Sequence, residues 1–247
     1  MKIRKIIHQT WKTHDIPREI YRAEWIESWK RCHPDWEYRF WTDADNRRLI
    51  AEHFPEFLET YDEYPADILR ADAVRYFILY QYGGVYADLD YRCLRNLEPL
   101  LAGYDLVLSY ITSEKAYLHG LTNAFMASRP GLALWPEVFE AMRRMSAQDA
   151  IIEFKTGPVM LKKAVRRYRR RQFWLSCLGL APKELIKIYE PQYLCPIDHR
   201  RASLDKKTVS AAMLDDPRQL FPQAYAVTYW AHHWSDPYYL KPMGVSS

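Results

Sequence analysis

Cysteine is scarce in this sequence, and its few cysteines lie far apart. The 247 residues include four, with no two forming a C-x-x-C pair: Cys32, Cys93, Cys177 and Cys195. Closely spaced cysteine pairs are typical of structural zinc sites, and dense cysteines in a short chain indicate a disulfide framework. Because neither pattern occurs, we expect reduced thiols, as in a cytosolic protein, and no zinc site of that kind.

Long hydrophobic runs are also missing. A membrane-spanning helix needs about 20 consecutive apolar residues, and no segment of the chain reaches that length. The N-terminal residues, MKIRKIIHQT, include no apolar region of signal-peptide length. We therefore expect a cytoplasmic chain, at most peripheral on the inner face of a membrane.

Charge of one sign is not in large excess, and no internal repeat or low-complexity linker divides the chain. The 35 Lys and Arg residues oppose 31 Asp and Glu, giving a formal net charge of +4. That excess is too small to indicate nucleic acid as a partner by itself. The length suits one large domain, so we expect residues 1–247 to form a single one.

What the sequence does contain is an alternation of strand-like and helix-like segments. Two segments are predicted to form strands, Lys5–Trp11 and Trp36–Trp41. Pro17 is expected to open a helix between them, and Thr42 is a candidate N-cap for the next helix. This β-α-β-α order predicts an α/β fold with a largely parallel sheet.

The rest of the chain continues this pattern. The best helix is predicted over Tyr64–Tyr82, where Gly83-Gly84 ends it, and strict alternation predicts a strand over Val85–Asp90. Further strands and helices are expected at Tyr104–Tyr110, Thr122–Ser128, Ala133–Met145, Pro158–Arg171, Ile186–Tyr189 and Ala226–Trp230.

The triplet Asp88-Leu89-Asp90 carries the first chemical signal. Residues i and i+2 of a strand point to the same side, about 7 Å apart, so both carboxylates would face one ligand. Mg²⁺ and Mn²⁺ prefer such oxygen ligands and share them with substrate phosphates. The triplet therefore indicates a metal–diphosphate site, although a solvated strand end beside a turn explains it equally simply.

Asp72 and Arg75 carry the second signal. They are three residues apart on the predicted helix and are therefore neighbours on its surface. Gly83-Gly84 would let the backbone fold tightly between this helix and the segment that carries Asp88. The pair is expected near the two aspartates, ready to bind sugar hydroxyls, unless it forms only an intrahelical salt bridge.

The run ADAVRYFILYQYGGVYADLD, residues 71–90, resembles the signature of DXD-containing glycosyltransferase family 32. That family includes initiating α-1,6-mannosyltransferases and is similar to the catalytic domains of clostridial glucosylating toxins. Other segments agree in order over most of residues 3–236: IIHQTWKT, HPDWEYRFW, NAFMASRPG, TGPVMLKKAV and HHWSDPY. The resemblance implies a GT-A fold, a Rossmann-like, mostly parallel sheet flanked by helices. It also implies a retaining hexosyltransferase that uses a UDP- or GDP-sugar to build a surface polysaccharide or glycoconjugate.

The resemblance also assigns residues. The expected catalytic set is Asp72, Arg75, Asp88 and Asp90. Asp90 is expected to ligate Mn²⁺ or Mg²⁺ directly, Asp88 to contact the donor's ribose and, through the metal's shell, the metal, and Asp72 and Arg75 to bind the sugar. Further donor contacts are expected from His8, Gln9, Trp11, Tyr86 and Asn123. We see no side-chain nucleophile, so the acceptor hydroxyl is expected to attack on the leaving-group face.

The C-terminal segment HHWSDPY is expected to add a metal or diphosphate contact through His232 or His233. This segment departs from the family pattern, because Ser235-Asp236-Pro237 follows Trp234 where the family usually continues with a small residue, Ser and Trp. A buried structural histidine is the alternative reading for both positions.

A basic segment lies within a helical region expected at about residues 158–180. Seven of the ten residues Lys162–Arg171 are Lys or Arg, and the apolar run QFWLSCLGL follows. Such a helix suits an anionic membrane surface, which would bring the enzyme to a lipid-linked acceptor. Nucleic-acid binding and a merely solvated helix face are the alternatives.

Two other functions fit parts of the pattern. A D-x-D phosphohydrolase would use Asp88 as nucleophile and Asp90 as acid, but Arg92 stands where that group normally has Thr or Val. A non-catalytic carbohydrate- or membrane-binding protein would not need the complete set of Asp72, Arg75 and the two aspartates.

Overall fold

The described part of the chain, in a computed structural model, comprises residues 2–18, 21–113, 120–148, 150–181, 184–197 and 216–231. Its strands are β1 (Ile6–Thr10), β2 (Glu37–Trp41), β3 (Gly84–Ala87), β4 (Tyr91–Cys93), β5 (Leu106–Tyr110), β6 (Leu121–Ser128), β7 (Ile186–Tyr189) and β8 (Ala226–Thr228). Its helices are α1 (Ala23–Cys32), α2 (Asp43–His53), α3 (Pro55–Asp62), α4 (Asp67–Tyr82), α5 (Glu98–Leu101), α6 (Leu134–Ser146), α7 (Ile152–Lys155), α8 (Pro158–Cys177), α9 (Pro191–Leu194) and α10 (Pro217–Leu220). None of these helices has the length and apolar character that a bilayer span requires.

Six strands form the central sheet in the order β2-β1-β3-β6-β5-β7. β1 runs parallel to β2 and β3, β5 runs parallel to β7, and β6 is antiparallel to both of its neighbours. β4 and β8 form a separate antiparallel pair. The α/β fold with a mostly parallel sheet, flanked by helices, is therefore confirmed.

The central sheet is covered by an apolar cluster on each face. Successive strand residues point to opposite sides, so neighbouring residues of β3 enter different clusters. Tyr86 belongs to the apolar cluster that contains residues of α2, α3, α4, α6 and α8. Val85 and Ala87 belong to the opposite cluster, which contains Trp29 of α1 and Tyr91 of β4. Burial on both faces explains why the strands are rich in apolar residues rather than half polar.

The helix boundaries differ from the sequence-based expectations in several places. α1 begins at Ala23 rather than at Pro17, because Arg22 has an extended backbone and forms the N-cap. α4 begins at Asp67 rather than at Tyr64, after an extended Ala66. α8 continues to Cys177. The N-cap expected at Thr42 is present as a capping box, in which Thr42 and Asp45 each bind the other's backbone N–H.

The strand predicted over Val85–Asp90 is wrong in its second half. β3 ends at Ala87, and the Tyr91 N–H donates to the Asp88 carbonyl at 3.1 Å, so the triplet forms a turn. The Asp88 carbonyl also accepts a 3.1 Å hydrogen bond from the Gln9 amide. These contacts bend the chain out of the sheet, and the two aspartates are presented by a tight turn.

Gly84 makes the passage from α4 into β3 possible. Its φ of +95° lies in the region that favours glycine, and a Cβ there would stand 2.5 Å from the carbonyl oxygen of Ile6. The backbones of β1 and β3 can approach each other only because this side chain is missing. Gly84 thereby fixes where the turn that begins at Asp88 lies relative to β1.

Candidate active site

The candidate site lies where the carboxyl ends of β1 and β3, which are parallel neighbours, meet α4 and β6. Ligands of open α/β sheets generally bind beyond the carboxyl ends of the strands. The ends of β1 and β3 lead directly to Gln9 and Asp88, and α4 contributes Asp72 and Arg75. The topology therefore brings together residues that are far apart along the chain.

The guanidinium of Arg75 connects α4 to the turn. It lies 2.9 Å from the Asp72 carboxylate and 3.5 Å from Oδ1 of Asp88, and it donates a 2.8 Å hydrogen bond to the Asn123 carbonyl. The Arg75 side chain is only 5% exposed, and a charge buried this deeply requires such partners. Asp72 and Arg75 thus form an intrahelical salt bridge, and Arg75 also contacts the turn formed by Asp88-Leu89-Asp90, here called the D-x-D turn.

The Asp72 carboxylate accepts hydrogen bonds through both of its oxygens. Its Oδ1 accepts a 3.0 Å hydrogen bond from the Asn123 amide, and its Oδ2 accepts a longer one, 3.5 Å, from the Thr156 hydroxyl. Burial raises the pKa of Asp72 to about 6, against the opposing effect of Arg75. A buried carboxyl with a raised pKa and fixed orientation is typical of functional sites.

Asp88 is fixed through both its backbone and its carboxylate. Its N–H donates to the Ala124 carbonyl at 2.9 Å, which continues the pairing of β3 with β6 for one more residue. Its Oδ1 accepts a 2.8 Å hydrogen bond from the Tyr86 hydroxyl. Burial raises the pKa of Asp88, although Arg75 and the Tyr86 hydroxyl both favour the charged form.

Asp90 is oriented by the segment that follows β8. Its Oδ2 accepts a 3.0 Å hydrogen bond from the Ala231 N–H, and the Thr228 hydroxyl also binds the carboxylate. Its Oδ1 is buried and has no hydrogen-bond partner in the described part of the chain. Burial, and then the charge of Asp88, raise the pKa of Asp90 to about 7.

These carboxylates leave an excess of negative charge. Asp72, Asp88 and Asp90 contribute three carboxylates, whereas Arg75 contributes one cation. Buried oxygens without partners are rare unless a ligand completes them, and hard divalent cations prefer oxygen ligands. Asp88 and Asp90 therefore fit a divalent cation. Within the described ranges no three His, Cys, Asp or Glu side chains surround one point, so further ligands would have to come from elsewhere.

Some of the predicted donor-binding residues contact the aspartates of the site, and others do not. Gln9, Tyr86 and Asn123 contact Asp88 or Asp72 directly. Trp11 instead packs edge-on against Tyr21, with ring centroids 4.9 Å apart. His232 and His233 lie outside the described residues.

His8, in contrast, is fully buried beneath the site. Its Nδ1 accepts a 3.1 Å hydrogen bond from the Trp41 indole, so Nε2 carries the proton and donates to the Gly83 carbonyl at 2.9 Å. Burial lowers the pKa of His8 to about 4. Both ring nitrogens are therefore occupied, and the ring is neutral. Its role as a donor contact stays a prediction.

Sequence reasoning did not assign Tyr76, Thr156 or Tyr38 to the site. The Tyr76 hydroxyl donates to the Thr156 carbonyl at 2.7 Å and accepts from the Asn123 amide. Tyr76 stands four residues after Asp72 on one helix face, and that spacing could have revealed it. Tyr38 donates to the Gln9 side chain at 2.8 Å from a neighbouring strand, a contact that no local pattern marks.

Comparisons with known proteins concern the same part of the chain. Residues 21–107 match the family described as glycosyltransferase sugar-binding region containing DXD motif. Inositol phosphoceramide mannosyltransferase 3 of Schizosaccharomyces pombe is 56% identical over 102 residues, which are 40% of this chain and 27% of that protein. Mannosyl phosphorylinositol ceramide synthase SUR1 of Saccharomyces cerevisiae is 37% identical over 199 residues, 77% of this chain and 47% of that protein.

The chain thus spans less than half the length of these two curated relatives. Among solved structures, the PaToxG glycosyltransferase superimposes with a TM-score of 0.54 at 12% identity, over 91% of this chain and 89% of that chain. Similarity at that identity concerns the fold alone. This superposition shows that the chain has a GT-A fold, and residues 21–107 match the sugar-binding region of the DXD-containing glycosyltransferases.

Proposed function

We propose that this chain transfers a hexose from a UDP- or GDP-sugar to a glycan or lipid-linked acceptor, with retention of configuration. The observation that supports it most is the connected set Asp72–Arg75–Asp88, beside an Asp90 oxygen that lacks a partner among the described residues. The names of the relatives make mannose the first sugar to test.

Asp88 and Asp90 are the residues that would hold a divalent cation such as Mn²⁺ or Mg²⁺. When bound, such an ion supplies positive charge that stabilises a departing diphosphate. Asp90 has the free oxygen, and the Ala231 and Thr228 hydrogen bonds keep that oxygen aimed in one direction. Arg75 and Tyr86 do the same for Asp88.

Asp72 and Arg75 are proposed to position the transferred sugar. Their side chains are held by Asn123 and Thr156, so they require little rearrangement to receive hydroxyl groups. Preorganised polar groups of this kind contribute more to catalysis than groups that must reorient. Asn123 contacts both residues and would therefore couple the sugar-binding pair to β6.

The reaction is proposed to proceed without a covalent intermediate. Asp72 is engaged by Arg75 and Asn123, which leaves it poorly suited as a nucleophile. The bond from the anomeric carbon to the diphosphate breaks while the acceptor oxygen approaches the same face, and the acceptor proton passes to the departing diphosphate. Chemical trapping of a glycosyl-enzyme would contradict this mechanism.

The acceptor proposed first is a lipid that carries an inositol phosphate headgroup, as the names of the two relatives suggest. The test supplies GDP-mannose, UDP-glucose and UDP-galactose, each with inositol phosphoceramide and Mn²⁺. Formation of a mannosylated lipid whose anomeric configuration matches that of the donor, by NMR, supports the proposal. Hydrolysis of a generic phosphate ester without any sugar transfer would favour a phosphohydrolase. Donor binding without turnover would favour a binding protein.

A further inference from the structure

Helix α8 has two distinct parts. Its first half packs into the core through buried side chains that include Val159, Leu161, Val165 and Tyr168. From Arg171 onward none of its residues is buried. A surface helix is normally held by an apolar stripe that faces the core, so the exposed end of α8 gains little from the core and is available to a partner.

Cations dominate the exposed side of α8. Four of them line a shallow groove of about 250 Å³: Lys163, Arg166, Arg167 and Arg170. Residues 154–183 include no Asp or Glu. Arg171 pairs with Glu137 of α6, but Arg166, Arg167, Arg169 and Arg170 form no ion pair with the described residues. The groove is therefore strongly positive and faces solvent.

Large apolar side chains follow these cations. Phe173, Trp174, Leu178 and Leu180 are each between 62% and 70% exposed. Soluble surfaces expose single apolar residues, but a cluster of large ones generally marks an interaction site. The spacing i, i+4, i+7 and i+11 places three of these cations and Trp174 on one stripe of the helix: Lys163, Arg167, Arg170 and Trp174.

We propose that this part of α8 docks the protein on an anionic lipid bilayer, with the four groove cations at the headgroups and the four apolar side chains, of which Leu178 and Leu180 directly follow the helix, in the interfacial region. We call these eight residues the α8 surface. Basic residues beside Trp, Phe and Leu are the composition that binds anionic interfaces, and long cationic side chains reach headgroups from an apolar stem. A nucleic acid would bind the cations through its phosphates, but it would not explain why the leucines are exposed.

The α8 surface is joined to the candidate active site by the helix itself. α8 begins directly after Gly157, whose neighbour Thr156 hydrogen-bonds Asp72. A helix of 20 residues is about 30 Å long. Docking of the α8 surface would therefore hold the sugar site within about 30 Å of the bilayer. The inference itself rests on α8 alone and does not require the proposed function.

The test is co-sedimentation of the full chain with phosphatidylcholine vesicles, with and without phosphatidylserine. The charge variant replaces Arg166, Arg167 and Arg170 with Gln, and the apolar variant is Trp174→Ala. A matched control replaces the exposed Arg18, Arg31 and Arg48 with Gln, which gives the same change in net charge elsewhere. Thermal unfolding confirms that each variant is folded.

Wild type and control should bind only vesicles that contain phosphatidylserine. The charge variant should partition on the order of 100-fold more weakly, since each basic residue near such a surface adds roughly a fivefold effect. Trp174→Ala should bind about tenfold more weakly. Equal losses in the control and charge variants would overturn the proposal, as would binding of a DNA duplex in place of vesicles.

Cys177 offers an independent readout, because it is exposed whereas the other three cysteines are buried or partly buried. It lies three residues after Trp174, on the same side of α8. An environment-sensitive fluorophore attached to Cys177 should shift its emission to the blue when phosphatidylserine vesicles are added. Sedimentation without any blue shift would contradict insertion of this end of the helix.

Discussion

The carboxylate of Asp90 accepts a 3.0 Å hydrogen bond from the backbone N–H of Ala231, which lies 141 residues further along the chain. The same segment donates a second hydrogen bond, because the Tyr229 N–H binds the Asp90 carbonyl at 3.1 Å. The D-x-D turn is therefore shaped by the C-terminal segment as well as by its own strand. Asp90 keeps one buried oxygen available to a ligand as a result.

Replacing Arg75 by Met should strongly destabilise the fold. The substitution keeps an unbranched apolar stem but removes the guanidinium, which leaves Asp72 and Asp88 without their shared cation, and breaking a buried pair generally costs about 3 to 5 kcal/mol. Urea unfolding measures the change in the free energy of unfolding. Arg47→Met, which breaks the exposed pair with Asp62, is the matched control and should have a much smaller effect. Similar losses in both variants would contradict the proposed importance of Arg75.

Asp72 should make stability depend on pH. Burial raises its pKa from 3.8 to about 6, so between those values the folded state keeps a proton that the unfolded state has lost. The free energy of unfolding should therefore fall as pH rises from about 4 to about 6, by roughly 2 to 3 kcal/mol. Asp72→Asn should lack this component of the pH dependence.

Urea unfolding at a series of pH values measures the free energy of unfolding, and the values for Asp72→Asn are subtracted from those for wild type. Asp35→Asn serves as the control, because Lys5 lowers the pKa of the exposed Asp35 and the sign of its contribution is opposite. A wild-type curve parallel to that of Asp72→Asn would show that Asp72 has an ordinary pKa in the folded protein.

Gly84→Ala should separate β1 from β3. The added Cβ would meet the Ile6 carbonyl oxygen at 2.5 Å, in a backbone conformation that alanine already disfavours. Gly103 also has a positive φ, of +82°, but nothing lies within 4 Å of its missing side chain. Gly103→Ala therefore isolates the conformational effect, on the order of 1 kcal/mol.

We expect Gly84→Ala to lower the free energy of unfolding by at least about 2 kcal/mol more than Gly103→Ala, because backbone atoms cannot yield as a flexible side chain can. Thermal and urea unfolding both measure this difference. Equal effects of the two substitutions would mean that β1 and β3 are not held as closely as the structure shows.

Local patterns allowed much of the fold to be predicted. The strand at Ile186–Tyr189, the end of α4 at the two glycines and the N-cap at Thr42 each depend on neighbouring residues alone. The turn at Asp88 could not be predicted in the same way. It depends on the Gln9 amide, 79 residues earlier in the chain, and alternation of side chains continues through it as though it were a strand.

In the candidate active site, too, some features follow from local sequence and others depend on distant residues. Asp72 and Arg75 are neighbours because of helical spacing, which the sequence displays directly. Their approach to Asp88 was expected from the tight fold that Gly83-Gly84 allows and from the family resemblance, but its geometry depends on the sheet topology, which no local pattern displays. The hydrogen bonds of Asp90 with Thr228 and Ala231 join residues with no sequence relationship, so no local pattern predicts them.

The most direct test of the central claim is the release of nucleoside diphosphate from the best donor sugar, with Mn²⁺ or with a chelator. It compares wild type, Asp90→Asn and the control Asp62→Asn, which alters an exposed carboxylate. We predict slow hydrolysis by wild type and control, lost with the chelator and reduced by about 100-fold or more in Asp90→Asn. A folded Asp90→Asn that keeps the wild-type rate, or hydrolysis that the chelator does not affect, would contradict the account.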